Sequence, residues 1–274
     1  MVKQHIYTSS ERILKAVRER KPIIHQITNY VTVQDCANVV LALGGSPIMA
    51  DAQEELYEIV RLSNALVINI GTLNDRTLSS MQRASRYARE CGIPIVLDPV
   101  GSGASTYRTD AVQSLISTIV PTVIRGNLSE IQSVAHLGSF TSGVDAAVGD
   151  CEEQIAQSME LACNLGRKLG CIIAITGKTD IVSDGTSIAT IENGHPALTR
   201  ITGTGCMSTA MVGTCCAVTD DYFPATVTAL LCMGISGELA SIHSGLGRFH
   251  TALFDCFSTL DGDLLMQRGK LHVR

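Results

Sequence analysis

Ala65-Leu66-Val67-Ile68-Asn69-Ile70 is an apolar run broken by a single polar residue. A half-solvated strand alternates polar and apolar residues, whereas a continuous run is a strand buried on both faces, as in a parallel sheet covered by helices. The same unit recurs in both directions. Downstream, Asn74 opens a polar-faced helix to Cys91, and Ile93-Pro94-Ile95-Val96-Leu97 is the next buried strand. Helix Thr109 to Ile119, strand Pro121 to Ile124, helix Cys151 to Leu169 and strand Cys171 to Thr176 continue the series. Upstream lie strand Ser46 to Ala50 and a helix from Val33 to Leu43, with Val33, Ala37, Val40 and Leu41 inward and Gly44-Gly45 as its stop. Before these come strand Ile23 to Ile27 and a first helix that takes Ser9 or Ser10 as N-cap, carries Ile13, Leu14 and Val17 on one face, and stops before Pro22. Alternating strands and helices predict an α/β fold: three layers, α/β/α, with a mostly parallel central sheet.

The rhythm changes after Gly177. Asp180 to Ser183 and Ser187 to Ile191 flank Asp184-Gly185, a two-residue hairpin signal, and Asn193-Gly194 supplies a second turn. The remainder reads as helical, over Gly205 to Val218, Pro224 to His243 and Phe249 to Leu265. The most apolar stretch, Phe223 to Ile235, is too short to span a bilayer and reads as a core helix.

With 274 residues and 45% hydrophobic content, the chain is expected to form one domain over 1–274. A net charge of −5 and no basic cluster longer than Arg18-Glu19-Arg20-Lys21 argue against a nucleic-acid partner and for a small-molecule one. Ten cysteines scattered through apolar segments without paired spacing predict reduced thiols in a cytoplasmic protein, and neither a zinc site nor a membrane anchor.

In an open parallel sheet, ligands gather beyond the carboxyl ends of the strands. Strand-terminating polar residues there are Asp98, before Pro99-Val100-Gly101; Arg125, in Arg125-Gly126-Asn127, with Glu130 three residues after a capping Asn127; and Thr176, before Gly177. Met49 ends another strand. To these the chain adds Thr202-Gly203-Thr204-Gly205-Cys206 at the start of a small-residue helix. Glycines let successive N–H groups converge and the helix adds its positive end, so Gly203, Thr204 and Gly205 make an anion hole. Cys206 stands at the helix start, where a thiolate is favoured and can take a proton from a substrate hydroxyl. Two carboxylates, an arginine and an anion hole are what phosphoryl transfer with Mg²⁺ requires, and no Walker A sequence is present. Each residue also has a plainer reading. Asp98-Pro99 suits a turn, Glu130 a capping box, Met49 a gap in the core, and His25 a satisfied structural position.

Seven blocks carry a resemblance that runs essentially end to end: His25-Gln26-Ile27-Thr28-Asn29, Gly45 to Met49, Asn69 to Leu73, Asp98 to Gly101, Arg125 to Asn127, Ile175 to Gly177 and Thr202 to Cys206. In this order they resemble the hydroxyethylthiazole kinases of thiamine salvage, within the ribokinase-like fold. Most ribokinase-like enzymes carry Asp as the base after the Gly loop, whereas the thiazole kinases carry Cys, as Cys206 does here. The resemblance implies ATP-dependent phosphorylation of the primary alcohol of 4-methyl-5-(2-hydroxyethyl)thiazole. It implies Asp98 and Glu130 as the carboxylates that organise Mg²⁺ directly or through water, and Arg125 and Thr176 as ATP contacts. Met49, Gly203 and Asn29 become the walls of the thiazole pocket. It also implies a homotrimer with active sites between subunits. One departure is Gly245-Leu246-Gly247-Arg248-Phe249, where Arg248 stands in place of a small hydroxyl residue and is a poor N-cap. Alternatives left open are a hydroxymethylpyrimidine kinase or a nicotinamide-cofactor repair dehydratase on the same fold, and a non-catalytic thiazole or nucleotide sensor. The Gly-rich 138–149 stretch is the expected mobile loop.

Overall fold

The computed structural model describes residues 2–136, 152–243 and 245–274. Along the chain it runs α1 (Val2–Arg20), β1 (Ile23–Ile27), α2 (Val33–Leu43), β2 (Ser46–Ile48), α3 (Leu56–Leu62), β3 (Ala65–Asn69), α4 (Asp75–Cys91) and β4 (Ile95–Asp98). It continues with α5 (Thr106–Thr118), β5 (Val123–Asn127), α6 (Leu128–His136), α7 (Glu152–Leu169), β6 (Ile172–Thr176), β7 (Asp180–Ser183) and β8 (Ile188–Ile191). After a short 3-10 turn, Pro196–Arg200, come α8 (Thr204–Cys216), α9 (Tyr222–Ala240), α10 (Leu246–Thr259), α11 (Gly262–Arg268) and β9 (Leu271–Val273).

The strands form one sheet in the order β2-β1-β3-β4-β5-β6-β7-β8-β9. Pairings from β2 to β6 are parallel, and those from β6 to β9 antiparallel. The run Ala65 to Asn69 serves both faces. Ala65 and Val67 of β3 lie in one apolar cluster with residues of α1, α2, α8, α9 and α10. Leu66 and Ile68 lie in the other, with residues of α3 to α7. Every residue of β3 is buried, so its hydrophobic stabilisation is collected on both sides of the pleat. This is the expected three-layer α/β/α arrangement.

Several expectations are corrected. Helix α1 starts at Val2, not near Ser9 or Ser10. Ile6 and Tyr7 extend its buried face, and Ser10 sits inside the helix with its hydroxyl 2.9 Å from the Ile6 carbonyl and 2.8 Å from Thr228 Oγ1. On α2 the buried stripe is Cys36, Val39, Val40 and Leu43, the i, i+3, i+4, i+7 set, which leaves Leu41 57% exposed. The β7–β8 connection is four residues rather than two, because Ser183 pairs with Ile188. Asp184 Oδ1 holds it by accepting the N–H groups of Thr186 and Ser187.

The span Phe249 to Leu265 is two helices, broken where Asp261 caps α11 through the Leu264 N–H at 2.8 Å. Arg248 is not a cap either: Gly245 is, and Arg248 falls in the first turn of α10. Nor is the chain helical to its end, since β9 pairs with β8 and buries Leu271. Helix α9 is longer than its apolar stretch, and at 19 residues it is long and apolar enough to cross a membrane. It packs against α1, α8, α10 and α11, and its most apolar window is 89% buried. The 138–149 stretch lies outside the described residues.

One glycine sets the site. A Cβ at Gly213 would run into Val67, so α8 can lie directly on β3 only because that position lacks a side chain. The first turns of α8 lie against the carboxyl ends of β3 and β4, where Cys206 and Thr209 meet Asn69 and Asp98.

Candidate active site

Five neighbouring strands deliver the site. Asn29 follows β1, Asn69 and Asp98 are the last residues of β3 and β4 and pair with each other in register, Arg125 lies on β5, and Thr176 ends β6. Arg125-Gly126-Asn127 was expected to lie beyond its strand. It belongs to β5, because parallel pairing with β6 continues as far as Asn127 opposite Thr176.

At the mouth, Gly203 takes φ 92° and caps α8, and a Cβ there would meet Thr32 Cγ2 at 2.8 Å. The first amide of the helix ladder is Met207 N–H, which bonds to Gly203 O at 2.8 Å. The N–H groups of Thr204, Gly205 and Cys206 therefore precede the ladder at the positive end of the dipole. The Arg125 guanidinium lies against this turn: a Cβ at Gly205 would stand 2.8 Å from Nη1. Nη1 is 3.7 Å from Asp98 Oδ2, and Nη2 donates to Thr176 Oγ1. A Gly205→Ala variant should consequently fold, alanine being the better helix former, while displacing the guanidinium. We expect kcat to fall about 10- to 100-fold with the melting temperature unchanged within about 2 °C, checked by steady-state assay and calorimetry.

Asp98 is 1% exposed. Its Oδ2 accepts from Thr209 Oγ1 at 2.7 Å and from Asn69 Nδ2 at 2.9 Å, while Oδ1 is buried without a partner among the described residues. Burial pushes its carboxyl up to about 6, against the pull of Arg125 and these hydrogen bonds, and Glu130 adds to the rise. Glu130 is itself held. Oε2 accepts the Asn127 N–H at 2.8 Å while Asn127 Oδ1 accepts the Glu130 N–H at 2.9 Å, the reciprocal capping box. Oε1 accepts the Gly101 N–H at 2.9 Å and so fastens the loop after β4 to the start of α6.

Cys206 departs from expectation. The helix start does not leave its thiol acidified: burial first, then the charge of Asp98, raises it above its ordinary value, while hydrogen bonds from its neighbours, Asn29 and Asn69 among them, pull the other way. Among the other expected pocket residues, Met49 packs on the edge of the core. Asn29 is buried, its oxygen taken by Thr32 and its amide turned to Asn69 and Cys206. His25 is fully buried and donates from Nε2 to the Ala50 carbonyl at 2.7 Å, a structural position.

The family model that describes the hydroxyethylthiazole kinase family matches residues 14–263. A hydroxyethylthiazole kinase from Clostridium beijerinckii is 47% identical over 262 residues, 94% of this chain and 95% of its own. The chain belongs to the hydroxyethylthiazole kinase family. A solved hydroxyethylthiazole kinase from Pyrococcus horikoshii superposes with a TM-score of 0.88 at 39% identity, covering 97% of this chain and 98% of its own. A ribokinase-like superfamily protein from Enterococcus faecalis, 12% identical with 88% and 87% of the two chains covered, superposes with a TM-score of 0.59 and shares the fold.

Two residues of this family member were not singled out from sequence. Asn69 is a polar residue closing an apolar strand, the same signal that found Asp98. Arg108, on α5, carried no such signal. Its Nη1 donates to the carbonyls of Ile70 at 2.8 Å and Val100 at 2.7 Å, and its Nη2 to that of Gly71 at 2.8 Å, which staples the loops after β3 and β4 together.

Proposed function

We propose that this kinase transfers the γ-phosphoryl group of ATP to the primary alcohol of 4-methyl-5-(2-hydroxyethyl)thiazole, from a single domain spanning 1–274. The observation that carries the reading is the meeting of Cys206 Sγ, the N–H groups that precede the hydrogen-bond ladder of α8 and the Arg125 guanidinium over one strand end. The hydroxyl oxygen would attack the γ-phosphorus, the bond to the β–γ bridging oxygen would break, and ADP would leave. The hydroxyl proton would pass to the Cys206 thiolate. With its thiol raised, Cys206 is a sparse base at neutral pH, and positioning and charge stabilisation carry more of the rate. Arg125 and the 204–206 amides hold the moving group, Thr176 orients Arg125, and Met49, Asn29 and Gly203 bound the alcohol.

Mg²⁺ suits the donor set. Asp98 offers a buried oxygen without a partner among the described residues, near enough to Glu130 for the charge of that second carboxylate to act on it, and Mg²⁺ is an ion held by one or two carboxylates while keeping most of its waters. When bound it would supply charge to the β- and γ-phosphates. We read the protein as cytoplasmic, without nucleic-acid or membrane partners, and as a homotrimer with active sites between subunits. Tyr30 and Val31, which follow Asn29 directly and are 77% and 59% exposed, support a neighbour there.

The test is label transfer from ATP with Mg²⁺ to hydroxyethylthiazole, to hydroxymethylpyrimidine, or to no acceptor. Transfer to the thiazole alone is expected. Transfer to the pyrimidine alone would change the substrate, and binding of ATP and thiazole without transfer would replace the kinase by a sensor.

A further inference from the structure

Two buried amides meet the sulfur of Cys206, and their orientation is fixed by backbone. Asn69 Oδ1 accepts the Gly71 N–H at 2.9 Å and Asn29 Nδ2 at 2.9 Å. Turning this amide over would set its NH₂ against a backbone N–H, so Nδ2 must face the other way. There it donates to Asp98 Oδ2 at 2.9 Å and to Cys206 Sγ at 3.3 Å. Asn29 is fixed in the same manner: its Oδ1 accepts the Thr32 N–H at 3.1 Å and Thr32 Oγ1 at 3.1 Å. Its Nδ2 then donates to Asn69 Oδ1 and to Cys206 Sγ, the latter at 3.3 Å. The two side chains are 2% and 4% exposed.

We propose that Asn69 is a positioning residue that, with Asn29, forms a two-donor socket holding the Cys206 sulfur as a hydrogen-bond acceptor at a fixed place beside Asp98. The proposal rests on the reading of Cys206 as the proton acceptor. A neutral thiol is a weak acceptor and a thiolate a strong one, so two N–H groups aimed at one sulfur favour the charged form. They work against burial and against the ionisable groups that face the sulfur, Asp98 on β4 and Cys36 on α2. Asn69 is the member that also grips Asp98, so one amide sets the separation of the base from the carboxylate. The socket explains how a cysteine serves at a site whose burial and neighbouring charge oppose its ionisation.

The experiment is the pH dependence of Cys206 alkylation by iodoacetamide in the full chain, read by the mass of the peptide that contains it, for the natural protein, Asn69→Ala and Asn29→Ala, with Cys206→Ala as blank. Both asparagine variants are expected to move the midpoint upward by about one pH unit. Both should also lower kcat about tenfold while the KM for ATP stays within about twofold. Loosened packing alone would raise the plateau rate of alkylation and leave the midpoint in place. An unmoved midpoint in a folded variant therefore overturns the socket, and should Asn69→Ala fail to fold, Asn29→Ala decides. Full activity in Cys206→Ala would instead remove the proton-acceptor role, a result independent of where the midpoints fall.

Discussion

An Asp98→Asn variant is expected to lose about 10³-fold or more in kcat and, in buffer free of divalent cations, to melt at a higher temperature than the natural protein at pH 7. The first effect follows from position. Asp98 ends β4 opposite Asn69, within 4 Å of the arginine proposed to hold the moving phosphoryl group, and carries a buried oxygen that has no partner among the described residues. Asparagine keeps an oxygen for Thr209 and Asn69 and loses the charge. The second effect follows from burial. With its carboxyl raised to about 6, chiefly by desolvation, folded Asp98 binds its proton more tightly than the unfolded chain does. Its favourable contribution is complete below about pH 4 and is lost as pH rises through 6, so at pH 7 the charge costs on the order of 2 kcal/mol. Melting curves of the two proteins should coincide near pH 4 and separate by several degrees at pH 7. A variant that melts lower at pH 7 would show that the attraction of Arg125 outweighs the loss of solvent.

The same residues show what sequence can and cannot reveal. The sheet was legible because Ala65 to Ile68 and stretches such as Ile95 to Leu97 and Ile172 to Ile175 are continuously apolar, as strands covered on both faces are. Asp98 and Thr176 were legible because each is the polar last residue of such a strand, and Arg125 because it is the first polar residue after the apolar Val123-Ile124, although parallel pairing carries β5 on to Asn127. Helix starts were less so. Ser10 looks like a cap, and nothing local reveals that its hydroxyl finds Thr228, more than two hundred residues away, inside a continuing helix. The break at Leu260-Asp261 and the strand at Leu271 depend on tertiary pairing that periodicity does not register. The balance of effects on the Cys206 thiol was not legible for a related reason. A helix start favours a thiolate by a local dipole, whereas burial and the Asp98 charge are set by the packing of α8 on β3, which turns on Gly213 having no side chain. Arg108 escaped notice because its three carbonyl partners come from loops after two separate strands.

Arg125→Met should be the second severe variant, with kcat lowered about 10³-fold and a pH-dependent loss of stability. Arg125 is 11% exposed in its side chain and its charge acts on two carboxylates at once. It draws Asp98 down from where burial alone would place it, and it does the same to Asp180, which burial raises to about 7 despite a hydrogen bond from the Gly177 N–H. Methionine keeps the length and removes the charge, so both carboxyls should rise further. Each then stays protonated in the folded protein to higher pH, and the penalty for ionising them is felt as pH passes through neutrality. The difference in melting temperature from the natural protein should accordingly be small at pH 5 and widen towards pH 8; an equal difference across that range would mean that Arg125 contributes packing and not charge. Arg125→Lys should recover part of the pH response, because a point charge suffices for it. It should recover little of the rate, because only the planar fork can reach Thr176 while lying against the backbone of Gly205. The cation proposed to hold the phosphoryl group is thus also the one that favours the ionised form of Asp98 beside it.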